Sequence, residues 1–153
     1  MQLRIYADTS AIGGCFDEEF EKASRMLIEK FKQGELLLVL SDLTQLEMRD
    51  APVYVQAVIN GLPESHIERV EFSKEAADLA QKYITQGVVT KASLADAQHI
   101  ALATISRVDA LVSWNFKHIV NLERIRGYNS INLRYGYPPI EIRAPWEVIG
   151  YGA

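Results

Sequence analysis

Asp8, Glu47, Asp96 and Asn115 are oxygen-bearing side chains that each stand where an apolar run gives way to polar chain. Leu3-Arg4-Ile5-Tyr6-Ala7 runs into Asp8-Thr9-Ser10, and Leu36–Leu40 leads through Ser41-Asp42 to a short helical stretch carrying Glu47. Ala110–Ser113 runs into Trp114-Asn115-Phe116, while Asp96 opens the helical pattern Ser93–His99. In an open parallel sheet, groups beyond the carboxyl ends of the strands gather at one edge, where ligands bind. If these strands pair in parallel, the side chains share one pocket. Carboxylates packed together raise each other's pKa, and no lysine lies close by in sequence, so the arrangement calls for a divalent cation. Hard oxygen donors suit Mg2+ or Mn2+, whereas His and Cys are too few and too poorly spaced for zinc.

Each residue also has a plainer explanation. Asp, Thr and Ser are good helix N-caps, but Gly13-Gly14 intervenes before the next helical pattern at Asp17, so no strong helix is expected straight after Asp8. An acid at the tip of a buried strand is costly unless paired or metal-bound. Ser93-x-x-Asp96 fits a capping box, although a carboxylate in the first turn can also face a cation. Glu47 fits an ordinary helix surface, and Asn115 fits a turn, where its carbonyl can also hold a cation or a water. Asp42, Asp50 and Asp109 read as caps or turns, and His99 and His118 as hydrogen-bonded packing residues. The single cysteine, Cys15, reads as a small filler; having no partner for an internal disulfide, it fits a reducing cytoplasm.

The elements that must position these groups alternate along the chain. Strand candidates are Leu3–Ala7, Leu36–Leu40, Ile67–Phe72, Ala110–Ser113 and Ile140–Ile142. Helical patterns cover Asp17–Gln33, Leu43–Asp50, a turn opened by Pro52 that runs to Asn60-Gly61, Ser73–Gln86, Ser93–Arg107 and His118–Arg126, the last closed by Gly127. Tyr128–Pro139 reads as a loop or short helix. Near-continuous apolar strands between helices predict an α/β fold: a three-layer α/β/α sandwich with a mainly parallel central sheet, formed by residues 1–153 as one domain.

Several function classes are excluded. No glycine fingerprint follows the first strand, and neither a Walker lysine motif nor a Gly-x-Ser-x-Gly elbow is present. No apolar run approaches the roughly 20 residues of a membrane span. The net charge of −4 disfavours a stand-alone nucleic-acid binder, yet Lys117–Arg143 carries five Lys/Arg against Glu123 and Glu141. That basic stretch on an acidic body could steer a phosphate backbone, or could simply be a solvated helix face.

Ile5–Ser10, Ser41–Glu47, Asp96–Ala103 and Asp109–Phe116 together resemble, in this order, the motifs of the PIN-domain nucleases, and among them the VapC-like toxins of toxin–antitoxin pairs. Ile140–Pro145 resembles that family's last strand. The resemblance implies a Mg2+- or Mn2+-dependent endoribonuclease that hydrolyses single-stranded or looped RNA, leaving a 5′-phosphate and a 3′-hydroxyl. It matches Asp8, Glu47 and Asp96 to the family's metal-holding acids. Asn115 stands at a fourth position that is commonly aspartate, Thr9 or Ser10 becomes a helper hydroxyl, and His99 and His118 are not ligands. It also implies a cognate antitoxin that blocks the pocket, and a homodimer. Two rivals stand beside it: an RNA- or protein-binding relative whose site has decayed at Asn115, and a small metal-dependent phosphatase.

Overall fold

The apolar runs pair as parallel strands. In the computed structural model, which describes residues 2–150, they are β1 (Leu3–Ala7), β2 (Leu36–Ser41), β3 (Ile67–Val70), β4 (Ala110–Val112) and β5 (Ile142–Arg143). Met1 and residues 151–153 of the expected single domain lie outside the described residues. The sheet order is β3-β2-β1-β4-β5, and every pairing is parallel. Ile5 stands level with Leu38 on one side and with Ala110 on the other.

The helices are α1 (Thr9–Gly13), α2 (Glu21–Lys32), α3 (Asp42–Met48), α4 (Val53–Asn60), α5 (Lys74–Thr85), α6 (Leu94–Ile105) and α7 (Leu122–Arg134). Side chains alternate across a strand with period two. Tyr6, Val39 and Leu111 therefore join one core with Leu79 and Tyr83 of α5, Ile100 of α6 and Tyr128 of α7. Ile5, Leu38, Leu40 and Val112 join a second core with Ile12 of α1, Leu27 and Phe31 of α2 and Ile59 of α4. The result is the expected α/β/α sandwich, and because β1 lies at its centre the strand tips on either side of Asp8 are neighbours.

Three local expectations need correction. A short helix, α1, does follow Asp8 at once. The helix expected over His118–Arg126 instead runs from Leu122 to Arg134, capped by the Asn121 side chain, which accepts from the Arg124 N–H at 3.2 Å. Gly127 lies inside it rather than ending it: a Cβ there would come within 2.7 Å of Val88 Cγ1, so this glycine serves close packing. The first part of Tyr128–Pro139 is thus helical, and the last strand shifts to Ile142–Arg143.

Candidate active site

Asp8 leaves β1 with an extended backbone and caps α1. Its Oδ1 accepts from the Ala11 N–H at 2.9 Å and from Ser10 Oγ at 2.7 Å, and its Oδ2 accepts from Ser113 Oγ at 2.6 Å. Cap and buried acid are therefore one residue, and the two readings of Asp8 combine. Only 5% of Asp8 is exposed, and among the described residues no Lys or Arg pairs with it. Burial pushes its pKa up; the Ser113 bond, the His99 charge, the Ser10 bond and the Ala11 N–H oppose the rise. A carboxylate offers about four lone-pair sites, so three donors leave room for one more.

Asp96 lies in the first turn of α6. The capping box expected with Ser93 does not form, because Ser93 makes no side-chain cap bond. Asp96 is half-buried, and its pKa is raised first by burial; His118 opposes this, Asp8 adds to it, and His99 and the Asn115 side chain oppose it. The charge of Asp8 at the tip of β1 is thus felt by Asp96 in the first turn of α6.

Glu47 of α3 is held from two sides. Its Oε1 accepts from Thr9 Oγ1 at 2.8 Å and from His99 Nε2 at 2.6 Å. With Nε2 donating to Glu47, Nδ1 of the buried His99 shares a hydrogen bond with the Tyr6 hydroxyl at 2.5 Å, and that hydroxyl also meets Ser41 Oγ at 2.8 Å. Burial would raise the Glu47 pKa, but the His99 bond and charge, with the Thr9 bond, outweigh it and lower it. His99 is the hydrogen-bonded packing residue that the sequence suggests, and it also fixes Glu47.

The chain leaving β4 completes the pocket. Ser113 Oγ, besides holding Asp8, accepts from the Asn115 N–H at 3.0 Å. Asn115 Oδ1 accepts from the N–H groups of Lys117 (3.2 Å) and His118 (2.9 Å). Its carbonyl is therefore committed to shaping the turn that delivers His118 toward Asp96. His118 departs from expectation, because its buried Nδ1 has no hydrogen-bond partner among the described residues. Ser10 Oγ, between Asp8 and the Trp114 N–H at 2.9 Å, clips the ends of β1 and β4 together.

Sequence reasoning passed over Ser113 and the influence of His118 on Asp96. Ser113 carries the same signal that singled out Asp8, a polar residue ending an apolar strand. Nothing local marks His118, which a turn brings into place.

Among the described residues, no three Asp, Glu, His or Cys side chains stand close enough to form a closed metal cage. The donor chemistry of Asp8 and Asp96 still fits a hard divalent cation: two carboxylates near enough for one to raise the pKa of the other, and neither paired with Lys or Arg among the described residues. Mg2+ commonly keeps several waters and binds through only one or two carboxylates. Glu47, engaged by His99 and Thr9, can join such an ion through water.

The all-parallel sheet order and the three layers make a PIN-like fold. No family model and no curated protein matches the chain. Among solved structures, the chain superposes on FitAcB from Neisseria gonorrhoeae with a TM-score of 0.59 at 12% identity, covering 94% of this chain and 99% of that one. DNA-bound VapBC from Salmonella typhimurium gives 0.56 at 19% identity, with 94% and 99% covered. VapBC2 from Rickettsia felis, bound to a DNA fragment from its promoter, gives 0.56 at 13% identity, with 92% and 97% covered. At these identities the likeness is one of fold. No helix among the described residues is long and apolar enough to cross a membrane.

Proposed function

We propose that this chain is a metal-dependent endoribonuclease, the toxin of a toxin–antitoxin pair. The observation that carries the reading is the pair Asp8 and Asp96: two acids brought to one sheet edge, both with pKa raised by burial, and neither paired with a Lys or Arg among the described residues. Asp8 and Asp96 are the residues that hold Mg2+ or Mn2+, with Glu47 positioned by His99 and Thr9 at the rim. When bound, the cation offsets charge developing on the scissile phosphate and acidifies the attacking water. Ser10, Ser113 and the Ala11 N–H keep the Asp8 carboxylate from rotating away. Asn115 keeps its loop in shape. The likeness in fold to VapBC and FitAcB structures supports an antitoxin as partner, and the family resemblance supports a homodimer in the cytoplasm acting on RNA.

The test is RNA cleavage by wild type, Asp8→Asn and Asp96→Asn with Mn2+ and with EDTA. Cleavage that depends on the metal and is lost in both variants is expected; cleavage that survives EDTA and both substitutions ends the reading.

The second reading, a non-catalytic relative that binds RNA or protein, draws on the hold that His99 keeps on Glu47. Inorganic Mn2+ separates the two in calorimetry, because a decayed site shows no binding that Asp8→Asn abolishes.

A further inference from the structure

Beside the acids, on the same carboxyl edge of the sheet, the chains leaving β4 and β5 each turn aromatic rings outward. Trp114 is buried, and its Nε1 donates to Ser24 Oγ at 2.8 Å; Ser24 Oγ in turn donates to the Ala11 carbonyl at 2.7 Å. Phe20 stacks on Trp114 with centroids 4.1 Å apart and planes at 13°. Gly14 lets this floor pack tightly, since a Cβ there would lie 2.6 Å from Trp114 Nε1. On the floor stand Phe116 and Trp146, nearly parallel at 23° with centroids 5.8 Å apart, and 41% and 51% exposed. Trp146 also meets Trp114 edge-on at 4.6 Å.

We propose that Phe116 and Trp146 form a shelf on which unpaired RNA bases stack while the adjoining phosphate reaches Asp8 and Asp96. The proposal rests on the nuclease reading and names the part of the substrate that this site grips. Position argues for it. Ser113 holds Asp8 through its hydroxyl, and Phe116 is three residues further on, which at 3.8 Å per residue puts the two Cα atoms at most about 11 Å apart. Rigidity argues for it as well: the Asn115 side chain and carbonyl, which accept from His118, Ile119 and Val120 N–H groups, lock the turn that carries Phe116. Flat faces held in advance lose little freedom on binding, and each base–aromatic stack is worth about 5- to 150-fold in affinity. Stacking also tolerates any base sequence, because every base has a π-face.

Charge sets the direction of the strand. Exposed Lys117 follows Phe116, whereas the acidic run Asp17-Glu18-Glu19 enters at Phe20. The sugar–phosphate chain therefore passes on the Lys117 side. A duplex, whose bases are already stacked on one another, cannot use the shelf.

The test uses fluorescence anisotropy of a labelled single-stranded RNA oligonucleotide, its duplex, and the same strand with abasic sites, on full-length protein carrying Asp8→Asn to prevent cleavage. Trp146→Ala and Phe116→Ala are expected to weaken single-strand binding about 5- to 150-fold each, with Trp146→Phe near wild type and abasic RNA weakly bound by all. In the otherwise wild-type chain, Trp146→Ala should raise KM with kcat little changed. Affinity unchanged in both alanine variants overturns the shelf, even where metal-dependent cleavage stands. Variants that leave RNA affinity intact but break a homodimer in sedimentation assign the rings to a second copy and overturn it too. Loss of RNA affinity in the alanine variants of a chain that never cleaves RNA with Mn2+ keeps the shelf and removes the nuclease.

Discussion

Acids occur near both ends of the sheet, under opposite conditions. Toward the amino ends, Arg4 donates through Nε and Nη2 to Glu68 at 2.9 and 2.5 Å, and its backbone N–H meets Asp109 Oδ2 at 2.7 Å. The hydrogen bond from Arg4 is the main cause that lowers the Glu68 pKa. At the carboxyl ends, Asp8 is held by two hydroxyls and a backbone N–H, and burial raises the pKa of both Asp8 and Asp96. A protein that can pair an acid with arginine at one edge leaves two acids without such a partner at the other. The acid paired with arginine has its cation built in; the proposed function has Asp8 and Asp96 take theirs from solution.

The comparison breaks most sharply in activity. Asp8→Asn and Asp96→Asn are expected to lower RNA cleavage by more than about 100-fold, since even outer partners of metal ligands commonly cost 10- to 100-fold. Glu68→Gln should leave the rate unchanged in the same assay.

Stability offers the next contrast. Mn2+ should raise the Tm of wild type by several degrees in calorimetry and leave that of Asp8→Asn unmoved, by mass action on the folded state. Replacing His99 by leucine frees Glu47 and removes a partner of the Tyr6 hydroxyl, a loss of about 1–3 kcal/mol in urea unfolding.

The pH dependence runs in opposite senses at the two edges. Asp8 and Asp96 have folded pKa values above their unfolded value, so their contribution is complete below about pH 4 and is lost as pH rises through the folded pKa. Glu68, with a lowered value, contributes above about pH 4 and loses its contribution as pH falls. In metal-free protein, Asp8→Asn should therefore flatten the fall in Tm on going from mildly acidic to neutral buffer, and Glu68→Gln should flatten the loss on strong acidification. The smallest effect is expected for Arg4→Met: its pair with Glu68 is partly exposed, so screening by solvent holds the loss to about 0–1 kcal/mol.

How much was legible depended on the reach of the interaction involved. The strands were readable because each apolar run, Leu36–Leu40 above all, states its own burial. Gly127 misled, since a glycine inside a helix and one ending it look alike until Val88 is seen against it. The Asp8 cap was obscured by Gly13-Gly14, yet α1 needs only one turn and the carboxylate supplies its first bond. Ser93 and Asp96 had the spacing of a capping box, but the side-chain cap bond is absent, and Asp96 is turned into the field of Asp8 and His118.

The local chain, through apolar periodicity and residue type, determined that strands and helices alternate and that Asp8, Glu47 and Asp96 were the acids to watch. Only the tertiary structure decided their company. It set Glu47 against His99 and Thr9, spent the Asn115 carbonyl on a turn, brought His118 toward Asp96, and laid Phe116 beside Trp146. The reason is physical: periodicity records which face of an element is buried, whereas a hydrogen bond or a stacked pair needs the distance between elements, and that distance is fixed by the order in which parallel strands are laid side by side.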